Sequence, residues 1–128
     1  MDPVSYSRYQ SPVPNERGHH VGIFGLVNTL AKQGVLSADE ERFRRTNNDW
    51  YDAAYANPSL VDPTVYDREL NRLASAWFKP SAARLLERVP GYLAILAAHG
   101  VPCELATSPD PGRVIYEDAD QIVVVPHP

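Results

Sequence analysis

The chain has 128 residues, the size of one domain. Its 44% hydrophobic and 22% charged residues are those of an average globular protein and exclude fibrous and fully disordered chains. Twelve basic against sixteen acidic residues give a net charge of −4, which opposes a nucleic-acid module, since such modules carry a basic footprint to replace counterions on phosphate.

No apolar run approaches the ~20 residues of a membrane span, so no membrane partner is expected. The start, Met1 to Tyr6, has neither a basic nor an apolar leader region, so it does not read as a secretory signal. One cysteine cannot make an internal disulfide, which fits a reducing cytoplasm. Arginine outnumbers lysine ten to two, the bias of a GC-rich bacterial coding sequence.

Residues 1–18 read as an extended arm, stiffened by Pro3, Pro12 and Pro14 and closed by Gly18. A helix is expected over 20–33, where Ile23, Leu26, Val27 and Leu30 repeat at helical spacing and Gly34 follows as a stop. The next helix opens on a capping box, Ser37-Ala38-Asp39-Glu40, and runs to Ala56 before Asn57-Pro58. Its core face is assigned to Phe43, Asn47, Trp50 and Ala54, with Glu41 and Arg45 pairing outside. After a loop over 57–63, Asp62 as cap and Pro63 at the first helical position predict a short helix to Leu73.

Over 76–99 the apolar residues Phe78, Ala82, Leu85, Leu86, Val89, Leu93 and Leu96 keep helical phase across Pro90. That fits either one kinked helix or two helices broken at Val89-Pro90-Gly91. His99 suits a helix C-terminus, and Gly100 caps it. Strands are expected at Cys103–Thr107, Arg113–Glu117 and Gln121–Val125. The fold class is therefore α+β: an arm over 1–18, then one domain over 19–128. That domain has four or five helices, according to whether the chain is kinked or broken at Pro90, and a C-terminal three-stranded antiparallel meander. An open edge on the Val-rich last strand would invite a second copy.

The most suggestive chemistry lies on the second helix. Arg44, Asn48, Tyr51 and Tyr55 fall at i, i+4, i+7 and i+11. A guanidinium, a carboxamide and two phenols on one stripe can bind a small molecule or short peptide, with Arg44 as anchor and the rings as walls. An amphipathic rim covering the core is the competing explanation. His20 is the candidate general acid–base, because imidazole titrates near neutrality. His19-His20 lack further ligands at metal spacing, so no metal and no cofactor are expected. Glu117, Asp118 and Asp120 read as a solvated turn, and Cys103 beside His99 as packing rather than a nucleophile.

Two functions follow as expectations. One is a small cytoplasmic binding protein, or a metal-free tailoring enzyme acting by positioning and acid–base assistance. The other is a non-enzymatic dimeric interaction or regulatory module using the arm and a strand edge.

Overall fold

The computed structural model describes residues 5–128. The chain is mixed α and β, with strands β1 (Tyr6–Gln10), β2 (Ser75–Phe78), β3 (Glu104–Ser108), β4 (Arg113–Glu117) and β5 (Gln121–Val125). The helices are α1 (Ile23–Lys32), α2 (Ala38–Ala54), α3 (Pro58–Val61), α4 (Ala83–Leu86) and α5 (Val89–Ala98). None of the helices among the described residues is long and apolar enough to cross a membrane. The chain divides into two compact units. One takes in residues 5–8, with Tyr55–Ala83 and Ala106–Pro128; the other takes in Tyr9–Ala54 and Arg84–Leu105.

The three-stranded meander is corrected to a five-stranded sheet of order β3-β1-β2-β5-β4. Only β4 and β5 form the expected hairpin. Strand β3 lies at the opposite edge, beside β1, and β2 separates β1 from β5. Strand β2 pairs antiparallel with β5 in the register Ser75↔Val124, Ala76↔Val123, Trp77↔Ile122 and Phe78↔Gln121. Strand β5 is thus interior, with Gln121 to Val124 all buried, so its valines do not form an open edge. The apolar run reflects a strand covered on both faces.

The expected helix over 76–99 is replaced by β2, α4 and α5. Pro80 disfavours helical backbone at Lys79, and Trp77 and Phe78 suit a pleated, half-buried surface. The chain breaks before Pro90 rather than kinking at it or breaking at Val89-Pro90-Gly91: a turn at Glu87–Arg88 separates the two helices, and Pro90 enters the first turn of α5, where its missing N–H costs nothing. The expected helix to Leu73 is a series of turns instead. The Asp67 carboxylate accepts from the backbone N–H of Glu69 and Leu70, and the Asn71 amide donates to the Thr64 carbonyl. Such bonds compete with a helical ladder. The cap-and-proline signal operates earlier, where Asn57 accepts from the Ser59 N–H and Pro58 opens α3 within the expected loop.

In the helical unit, α1 buries Ile23, Val27 and Leu30. The capping box forms as expected: the Ser37 N–H donates to Glu40 (2.8 Å) and the Glu40 N–H to Ser37 Oγ (3.1 Å). On α2 the deepest residues are Asn47 and Tyr51, while Phe43, Trp50 and Ala54 are half-buried. Tyr92 of α5 is buried and meets Phe24 and Phe43 edge-on at 5.1 and 5.2 Å between centroids. Gly91 allows this approach, because a Cβ there would lie 2.1 Å from Phe43 Cζ.

In the sheet-bearing unit, Val65, Ala74 and Val123 form a core cluster with Ala76, Ile115, Tyr116 and Val125 against it. Gln121 is buried, and its amide donates to the Ala56 carbonyl and the Asp118 carboxylate, both at 2.9 Å. The β4–β5 register shifts between Val114 and Tyr116.

Replacing Gly91 by alanine is expected to cost about 1–3 kcal/mol of stability, because the Phe43 ring must move. Pairing it with Phe43→Leu should recover part of the loss. Urea denaturation of the two variants checks this, and additive losses would contradict it.

Candidate functional site

The candidate stripe is built on α2, but its members face partners within the fold. Arg44 grips Glu41 with two bonds, Nε to Oε2 at 2.9 Å and Nη2 to Oε1 at 2.6 Å. Its Nη1 donates to Asn28 Oδ1 of α1 at 3.2 Å. Asn48 donates to the same Asn28 oxygen at 3.2 Å and accepts from the Tyr92 hydroxyl at 2.7 Å. Tyr51 is buried and donates its hydroxyl to the Leu85 carbonyl.

A neighbouring arrangement holds the buried Asn47. Its amide donates to the Phe43 carbonyl at 2.8 Å, and its oxygen accepts from Arg88 Nη1 at 2.9 Å. The Arg88 guanidinium lies over the Trp50 ring, 3.9 Å from its centroid, a cation–π geometry. These bonds answer the cost of a buried amide. Among the described residues, every buried side-chain nitrogen or oxygen has a hydrogen-bond partner.

Tyr55 belongs to the other unit, one residue beyond the end of α2. Its ring stacks on Phe78 at 5.4 Å. The structure therefore brings Arg44 and Asn48 together through Asn28 and places Tyr51 on the same helix at a separate partner. Tyr55 serves the sheet-bearing unit. Asn28, Arg88, Tyr92 and the Leu85 carbonyl complete these contacts, and helical spacing within one element gives no signal of them.

The electrostatics match the bonds. The Arg44 guanidinium, with Arg45 beside it, lowers the Glu41 carboxyl from 4.5 to about 2. Burial pushes the Tyr51 phenol up to about 12 and raises the Tyr92 and Tyr55 phenols too. Phenols held neutral can donate hydrogen bonds across the ordinary pH range.

His20 Nδ1 lies 2.8 Å from the Ser11 carbonyl oxygen. A carbonyl can only accept, so Nδ1 carries the proton in this contact. His99 pairs with Glu40, not with Cys103, at 2.8 Å. Among the described residues no group of three or more His, Cys, Asp or Glu side chains is arranged to hold a metal ion. Asp118, in the acidic turn, accepts from the Tyr116 hydroxyl at 2.8 Å and from the Asp120 and Gln121 N–H groups.

Tyr51→Phe is expected to lose about 1 kcal/mol of stability, and Asn47→Leu about 1–3 kcal/mol, since it strips Arg88 of its acceptor. Unchanged urea midpoints would show that these bonds are dispensable. Glu41, depressed in the folded chain, stabilises it fully above pH 4.5 and loses that contribution as pH falls from 4.5 towards about 2. Glu41→Gln should therefore flatten the fall of stability over that window, measured by thermal melts at stepped pH. No family model, no curated protein and no solved structure matches this chain.

Proposed function

We propose that the chain is a non-enzymatic interaction module that self-associates. The carrying observation is the openness of three aliphatic side chains within eleven residues of the sheet-bearing unit: Leu60 is 84% exposed, Val61 71% and Leu70 67%. Single exposed hydrophobics are ordinary, but three this open in one short segment, with Tyr66 exposed between them, favour an apolar contact. The contact proposed here uses side chains of α3 and the turns after it, in place of the arm and the strand edge.

The internal bonding of Arg44, Asn48 and Tyr51 supports the same reading. A small-molecule or short-peptide site on these residues and Tyr55, with His20 as its acid–base group, would have to draw them from their present partners. Each broken bond would subtract from ligand affinity.

Sedimentation velocity across a wide concentration range tests the proposal. The wild-type chain should shift towards a dimer as concentration rises. The double variant Leu60→Ser, Val61→Ser should stay monomeric with an unchanged circular dichroism spectrum. A wild-type chain that is monomeric throughout, or a variant that still dimerises, would overturn it.

A further inference from the structure

The Glu40 carboxylate does two tasks with one oxygen. Glu40 Oε1 accepts from the Ser37 N–H at 2.8 Å, closing the capping box at the start of α2. The same oxygen lies 2.8 Å from His99 Nε2, at the C-terminal cap of α5. Both side chains are mostly buried, 20% exposed for Glu40 and 21% for His99. One atom thus joins the positive end of one helix dipole to the last residue of another, where positive charge is favoured.

We propose that the Glu40–His99 pair is a pH-responsive clasp, which tightens the docking of the α5 C-terminus onto the α2 N-terminus when the imidazole is protonated. Protonated, the imidazole sets a full positive charge against the carboxylate. Neutral, it offers only an N–H dipole, and charge-assisted hydrogen bonds are the stronger kind. Imidazole is the side chain that can switch between these two forms without a change in covalent structure or a bound ion.

The charged neighbours of Glu40 along α2 have partners of their own. Asp39, before Glu40, is bonded to Arg42 at 3.0 Å, and Glu41, after it, to Arg44 and Arg45. The charged residue of α1, Lys32, is exposed, and α5 carries no charged residue. The Glu40 carboxyl lies below its ordinary value chiefly because of the His99 hydrogen bond, with the Ser37 amide second.

Amide hydrogen exchange by NMR on the full chain tests the clasp, with each rate corrected for the intrinsic pH effect. The Ser37 and Gly100 amides should be more protected at about pH 6 than at about pH 8.5, by roughly threefold. His99→Gln, which keeps a donor, and Glu40→Gln, which keeps an acceptor, should each abolish that difference. His19, His20 and His127 remain in both variants, so their titration cannot produce the loss. Equal protection at the two pH values in the wild-type chain, or an undiminished difference in either variant, would overturn the clasp. Should a variant not fold, the wild-type chain decides. The His99 ring carbon shift and the Ser37 amide shift should titrate with one midpoint, and separate midpoints would refute the coupling.

Discussion

The helical unit depends on one buried hydroxyl. Tyr51 donates it to the Leu85 carbonyl, which lies in a helix of only four residues. A helix that short leaves its carbonyls without partners in its own ladder. An orphan carbonyl inside a core costs about as much as a lost hydrogen bond. A partner from α2 removes that cost and ties the corner between α4 and α5 to the longest helix of the chain. Pro90 is tolerated just after the break because its first-turn position needs no donor and because the corner is held from outside.

Around that bond the polar and aromatic groups divide the labour. Phe24, Phe43 and Tyr92 fill space edge-to-face, which suits the ring quadrupoles. Asn28 and Asn48 thread hydrogen bonds between the helices, and Asn47 joins α2 to Arg88 at the start of α5, without adding net charge. Two cations reach this group: Arg44 donates to Asn28, and Arg88 is received by both the Trp50 face and the Asn47 oxygen. In the other unit Gln121 plays the matching part, since its buried amide ties the start of β5 to the Ala56 carbonyl and to the turn before the strand.

Local grammar was readable in the residues, and long-range pairing was not. Ser37 and Glu40 announce the start of α2 because both halves of the box lie within four residues. The β4–β5 hairpin is legible because a short turn joins strands that neighbour each other. Strand β2 is four residues long and owes its state to β5, more than forty residues downstream, so the helical phase of Phe78 and Ala82 conceals it. The candidate stripe fails in the same way. Spacing places Arg44, Asn48 and Tyr51 on one helix, but the helix stops at Ala54, and, Glu41 aside, the groups that bind them come from α1, α4 and α5. Periodicity reports which way a side chain points, and leaves its partners to the tertiary fold.

The shift in the β4 register reaches beyond the hairpin. Arg113 sits opposite Val125 and Tyr116 opposite Val123, so these two share one face of the sheet; Val114 and Glu117, opposite Val124 and Ile122, share the other. The two-residue alternation therefore falls out of step midway along an outer strand. An incoming extended chain would meet a backbone whose donors and acceptors no longer repeat evenly, a poor template for fibrillar stacking. The aggregation-prone Ile122-Val123-Val124-Val125 run is thereby screened by a neighbour unsuited to propagating it.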